Sequence, residues 1–362
     1  MEIQIEDMVD FARGAAFLGT GGGGDPHIGR LLCEQTLRES DPPKLIDLDE
    51  LEPDANVYTI GMMGAPTVMI EKLCALDDAE LAVAKLEAHR GRPADAIMPV
   101  EIGGMNSTVP IAVAARRGLP LVDADGMGRA FPELQMVTFN VYGVPISPFV
   151  ITNEHMESTI IEARDAKSAE DIARAITIRM GLVVSLCAYP MSGRDARRTA
   201  VGGTMSLALE IGRAIARGRK QGDPVSELLR TLETTKYYKH CAILFDGKIM
   251  DLEREARKGF SIGRCRIAAL DGSSSEMDIV FQNENLIARQ GGKVRAIVPD
   301  LISIVDRDSA EPITIETLKY GQRVKVIGIS APPALRTPEA LAVFGPQCFG
   351  LDEPFEPIEN LI

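Results

Sequence analysis

The sequence predicts an α/β protein: an amino-terminal three-layer domain with a mainly parallel sheet over residues 1–165, then a carboxyl-terminal α+β domain over 166–362 that ends in a β-rich part. Three observations predict it. Short apolar runs alternate with helical patterns through the first half, alternating segments separated by tight-turn dipeptides follow Ile243, and 362 residues are about twice the usual domain length.

In chain order, Ile5–Leu18 reads as an amphipathic helix with Met8, Val9, Ala12, Ala15, Ala16 and Leu18 on its apolar side. It ends at glycine. Asp25-Pro26 then supplies an N-cap and a first-turn proline for a second helix from His27 to about Glu39. An apolar run at Val57–Ile60, a helix near Asp78–His89, a run at Ala96–Val100, a helix near Val109–Arg117 and a run at Leu119–Val122 follow. This alternation implies parallel strands joined by crossover helices. The strand ends carry Gly61-Met62-Met63-Gly64, Glu101-Ile102-Gly103-Gly104 and Asp123-Ala124-Asp125-Gly126. Ligands of open parallel sheets bind beyond the carboxyl ends of the strands, so these clusters are expected to converge on one crevice.

A polar stretch at Ser158–Ala169 marks the expected boundary, with a helix beginning near Ala169 and others at Met205–Lys220 and Val225–Leu232. Lys248–Leu252, Gly263–Ala269, Met277–Phe281, Lys293–Val298 and Arg323–Ile329 then read as antiparallel strands, with hairpin turns at Asp246-Gly247, Asp271-Gly272 and Gly291-Gly292.

Composition narrows the function classes. With 39 basic against 52 acidic residues the formal charge is -13, which repels nucleic acid and anionic lipid. There is no Trp and only 5% aromatic content, so surfaces for stacking bases are scarce. A small-molecule substrate is the partner expected, and a homo-oligomer is expected on general grounds. Met1–Asp10 lacks the pattern of a signal peptide, and no apolar run reaches the roughly 18 residues of a membrane helix, so a cytoplasmic protein is expected. Six cysteines without a CxxC pair read as reduced core thiols, and four histidines leave little for a multi-histidine zinc site.

The first candidate for chemistry is Gly19–Pro26, with five glycines among positions 19–24. Glycines let the backbone approach a ligand closely, so the amides of Gly21, Gly22, Gly23 and Gly24 are candidates to bind a carboxylate or phosphate, the alternative being a hinge. No Lys-Ser/Thr follows, so it is not a phosphate-binding Walker loop. Asp25 is either a helix cap or part of the site. His27, at the loop mouth, could bind an anion, a metal or a reacting proton. Glu101, between an apolar strand and two glycines, is expected to be partly buried and raised towards a pKa useful for acid–base work. Asn106 and Ser107 read most simply as caps. Asp123 and Asp125 share one side of an extended backbone and could share a proton, bind a cation or pair with Arg129; Glu133 closes the same cluster. Phe281-Gln282-Asn283-Glu284-Asn285 reads first as hairpin or domain-contact hydrogen bonding. No serine-hydrolase elbow is present.

The segments LGTGGGGDPHIGRL, EIGGMNS, LPLVDADGMGRAFPELQM, FQNENL, VPDLI, LKYGQRV and FGPQCFGLD, taken together, resemble the S-methyl thiohydantoin desulfurase family, formerly a domain of unknown function whose members accompany hydantoinase and oxoprolinase proteins. They span nearly the whole chain in order. The resemblance implies hydrolysis of an S-methyl thiohydantoin to a hydantoin with release of methanethiol, and a hydantoinase-type partner. For that chemistry the residues read above suggest Asp123 or Asp125 as the base and Glu101 as the acid, while Asn106, Arg129 and the loop amides would hold the ring carbonyl and any side-chain carboxylate. The alternatives left open are a divalent metal on Asp25, His27 and one strand-end aspartate, and a non-catalytic ligand-binding subunit of a hydantoinase- or oxoprolinase-type complex. No cofactor is required by the sequence.

Overall fold

The computed structural model describes residues 1–362 apart from 25, 66, 67, 70, 71, 73–75, 258 and 259. Helices α1 (Met8–Leu18) and α2 (Pro26–Glu39) flank the glycine loop and precede β1 (Leu45–Ile46) and β2 (Asn56–Gly64). Eight of the nine β2 residues are buried, the pattern of a strand covered on both faces. Then come α3 (Asp77–Arg90), β3 (Ala96–Pro99), α4 (Met105–Arg117), β4 (Leu121–Val122), β5 (Ala124–Asp125) and α5 (Thr138–Val141). The fourth helix starts one turn earlier than Val109, which places Asn106 and Ser107 inside its first turn; Gly104, at φ 47°, makes that early start.

The rest of the first sheet is β6 (Phe149–Thr152), β7 (Ser158–Ile161) and β8 (Val183–Ser192), with α6 (Ala166–Arg179) between the last two. Part of the polar stretch at 158–169 is therefore a strand, and α6 begins at Ala166 because the Asp165 side chain accepts from Ser168 N at 2.7 Å as its N-cap. The sheet order is β1-β4-β3-β2-β8-β6-β7. It is parallel from β1 to β2, and antiparallel where β8 joins β2 and β6. The β8 segment, buried over nine of ten residues, was not foreseen in the sequence.

After α7 (Gly193–Thr199), β9 (Val201–Gly202), α8 (Thr204–Gln221) and α9 (Pro224–Glu233), the chain forms the antiparallel second sheet. Its strands are β10 (Cys241–Arg257), β11 (Phe260–Ala269), β12 (Glu276–Gln282), β13 (Glu284–Gln290), β14 (Lys293–Ile297), β15 (Leu301–Asp306) and β16 (Arg323–Ile329), followed by α10 (Pro338–Phe344). Consecutive strands from β10 to β14 are neighbours, and the order is β14-β13-β12-β11-β10-β16-β15. Gly291-Gly292 makes the expected tight turn, with φ 56° and 78°. Asp246-Gly247 does not turn. It lies within β10, where Gly247 pairs with both Ala269 and Val324, and a β-carbon there would stand 2.5 Å from Ala268 O. That glycine serves close strand approach, which in sequence looks the same as a turn.

The fold is thus mixed α/β, with a mainly parallel amino-terminal sheet and a β-rich antiparallel carboxyl-terminal one. Among the described residues no helix is long and apolar enough to cross a membrane. The described cysteines are all free thiols, with Cys33, Cys187 and Cys265 buried; burial pushes Cys33 and Cys187 up and Cys265 up to about 12.

Candidate active site

Glu101 lies just beyond the carboxyl end of β3, where the backbone leaves the sheet. Its carboxyl is buried at 4% exposure and accepts two hydrogen bonds, from Asn106 Nδ2 to Oε1 at 2.5 Å and from Phe131 N to Oε2 at 3.2 Å. Burial pushes it up to about 8, against the pull of those donors. Asn106 is committed at both ends, because its Oδ1 accepts Met62 N at 2.6 Å. It therefore ties β2 to the Glu101 carboxyl, with its second Nδ2–H not used by these two bonds.

The second carboxyl comes from the other sheet. Between β12 and β13 the chain reverses through Asn283, whose φ of 58° is a left-handed conformation that Asn tolerates; its Oδ1 accepts Ser261 N at 2.8 Å. This delivers Glu284 into the interior at 2% exposure, with Oε2 lacking a hydrogen-bond partner among the described residues. Burial first, then the Glu101 charge, hold Glu284 well above the usual carboxyl range, and Arg129 offsets only part of this. Glu101, Glu284 and Asn106 line one cavity of about 70 Å³, together with Met62, Met63, Met69, Met127 and the backbones of Gly23 and Gly24.

The glycine loop is packed between the two sheets. Gly21 O accepts Ile315 N at 3.0 Å and Gly23 O accepts Met105 N at 2.8 Å. The Gly23 and Gly24 amides donate to no described group, so within the cavity wall they are the loop's donors for a ligand. Gly21 instead abuts Ile315, and Gly22 abuts Glu284.

Arg129 does not face a ligand. It is fully buried and each of its five N–H groups is used: Nε by Ala130 O, Nη1 by Pro299 O and Asp300 O, Nη2 by Thr20 Oγ1 and Asn285 O, at 2.9–3.2 Å. Its guanidinium lies 4.6 Å from the Phe131 ring centroid, and burial lowers it to about 10. It fastens the glycine loop, the Asn283–Glu284 turn and the 299–300 segment together.

The structure does not bring Asp123 and Asp125 to a shared proton or cation. Asp123 Oδ1 accepts Met205 N and Ser206 N at 2.9 and 3.0 Å, capping α8, and the residue lines a separate open groove. Asp125 Oδ2 accepts Ile102 N, Met127 N and Gly128 N at 2.8–3.0 Å, which shapes the turn over the cavity. Burial pushes Asp125 up to about 7 and raises Asp123 as well. Alternate residues of a strand share a face only while it stays extended, and here β5 is two residues long. His27 is exposed on α2, 3.2 Å from Arg30 Nη2, outside the cavity lining; Asp25 lies outside the described residues. Glu133 does line the cavity, held by Lys167 Nζ at 3.2 Å and by the Gln135 amide. Among the described residues no three His, Cys, Asp or Glu side chains are gathered to hold a metal; Asp25, one of the ligands left open in the sequence, lies outside them.

Fold and cavity together define a two-sheet α/β protein with a buried dicarboxyl cavity at the carboxyl ends of its parallel strands. The chain belongs to the S-Me-THD-like family: residues 6–163 match the S-Me-THD-like N-terminal domain and residues 164–358 the S-Me-THD-like C-terminal domain. A crystal structure of a protein from Chromobacterium violaceum is similar over 99% of this chain and 100% of its own, with 26% identity and a TM-score of 0.83. No curated protein matches the sequence.

Proposed function

We propose that the cavity hydrolyses a small five-membered cyclic ureide, with an S-methyl thiohydantoin as substrate and the hydantoin and methanethiol as products. The carrying observation is the pair of buried carboxyl groups, Glu101 and Glu284, in one cavity with unequal partners. Donors to both oxygens favour the ionised form of Glu101, whereas Glu284 has an oxygen with no donor among the described residues and keeps its proton. Glu101 is then the base and Glu284 the acid. This reverses the role expected for Glu101 from the sequence and moves the base away from Asp123 and Asp125.

In the reaction, water adds to the ring carbon that bears sulfur and gives a proton to Glu101 as Glu284 protonates the adjacent ring nitrogen. The Gly23 and Gly24 amides are available to the ring carbonyl. Collapse of the tetrahedral intermediate forms C=O and breaks C–S: the hydroxyl proton passes to Glu284, the sulfur leaves as methanethiol with the proton held by Glu101, and both carboxyls return to their starting states. Atoms and electrons balance without an oxidant or reductant. The methionines of the wall offer the S-methyl group a soft apolar seat.

The test is methanethiol release from S-methyl thiohydantoins, beside hydantoin and oxoproline controls. Glu101→Gln and Glu284→Gln are each expected to lose at least ~10²-fold in kcat, the usual scale for acid–base groups. A silent panel, or variants that leave turnover intact, sinks the hydrolase reading. Variants that leave a hydantoinase-type partner's activity untouched while still binding ligand would mark a non-catalytic binding subunit.

A further inference from the structure

Arg174 is the only cationic side chain among the described residues that line the cavity. It projects from α6 and is held on three sides. Nε bonds Glu170 Oε1 one turn earlier, Nη2 donates to Pro132 O at 3.1 Å, and the guanidinium stacks 4.4 Å from the ring centroid of Phe260, at the start of β11. Its side chain is 17% exposed, and Nη1 bonds no described group.

A purely internal duty accounts for part of this arrangement. Glu170 is buried and also accepts Leu134 N at 3.0 Å, so it needs a cation. That need is met through Nε, and it leaves unexplained both the free Nη1 and the placement of the guanidinium in the cavity wall. The Phe260 ring adds a fixed orientation that a neutralising charge does not require.

We propose that Arg174 seats a carboxylate carried on the substrate ring's substituent, so that the substrates are cyclic ureides with an acidic side chain. The proposal rests on the cyclic-ureide reading above and names the substrate class of that same cavity. A planar guanidinium with Nη1 free can meet a carboxylate edge-on, and its clamped position means little rotamer freedom is lost on binding. Of the other carboxyls of the wall, Glu133 is held by Lys167 and Gln135, Glu101 accepts from Asn106 and Phe131, and Glu284 keeps its proton, so none is a bare charge facing the anion.

The experiment compares calorimetric binding of 5-(carboxymethyl)hydantoin and its primary amide to wild type, to Arg174→Lys, and to the double variant Glu170→Gln/Arg174→Gln, which leaves no buried charge unpaired. Methanethiol release from the matching S-methyl thiohydantoins is followed in parallel. Wild type is expected to bind the carboxylate at least about 10-fold more tightly than the amide, with the preference reduced in the lysine variant and abolished in the double variant. Equal affinities, no binding of either ligand, or a preference that survives the double variant overturns the proposal. If the preference is found but no thiohydantoin is turned over, the carboxylate seat stands and the hydrolase reading falls. If the neutral thiohydantoin is turned over as well as the acidic one, the hydrolase reading stands and the seat falls.

Discussion

Gly22 lies so close to Glu284 that a β-carbon at position 22 would stand 2.0 Å from Glu284 Oε1. The glycine loop and the second sheet's carboxyl are thus fitted to one another, and the loop's composition has a steric reason at this position. Gly22→Ala is expected to push Glu284 out of place, lowering kcat at least ~10-fold and costing about 1–3 kcal/mol as an overpacked contact. Thermal melts and the methanethiol assay read the two effects separately.

The proposed base sets the pH profile. With Glu101 pushed up to about 8, kcat/KM should rise with pH towards that value and fall again where Glu284 gives up its proton. A rate that is flat between pH 6 and about 9 removes Glu101 from the base role.

Asp125 gives a prediction for stability alone. Its folded pKa, about 7, lies above the ordinary 3.8, so the folded state holds the proton more tightly. The stability this contributes is complete below about pH 4 and is lost as pH rises through about 7. Asp125→Asn has no such loss, so its melting temperature should match wild type at pH 4 and exceed it increasingly up to pH 8, with turnover kept. Loss of turnover at an unchanged melting temperature would return Asp125 to catalysis.

Arg129→Lys replaces five donors with three and strands two buried acceptors, at about 1–3 kcal/mol each. Denaturant melts should show that loss, with KM for any surviving activity nearly unchanged. A large rise in KM without destabilisation would restore a substrate contact for Arg129.

His27 is exposed and lies outside the cavity lining, so His27→Ala should stay within about 0.5 kcal/mol of wild type and close to it in rate. A rate loss that added divalent metal restores would contradict this.

The sequence made the parallel unit legible because β2, β3 and α4 follow the periods of strands and helices, and it placed Glu101 correctly at a strand end. The hydrogen bonding of Asp123 and Asp125 was not legible, because a dense acidic turn looks alike whether it captures a ligand or its own backbone; here five N–H groups take their side chains. The place of Glu284 in the cavity was hidden for a different reason. Its flanking amides make hairpin bonds, as expected, yet its proximity to Glu101 depends on sheet docking across 183 positions of chain, the difference between 284 and 101. Arg174 carries no local signal, since an Arg four residues after a Glu on a helix reads as an ordinary surface pair. β8 was missed because Ser185 and Pro190 break its apolar run, and a proline argues against a central strand.

The position of β8 also bears on how the gene can be divided. A polypeptide ending at residue 163, where the two family matches meet, would lack β8 and leave β2 with an open hydrogen-bonding edge along positions 56–64. Such an edge recruits other chains. The amino-terminal half made alone is therefore expected to aggregate, and splitting the gene there and co-expressing the halves would restore solubility only if the second half threads β8 back into the gap.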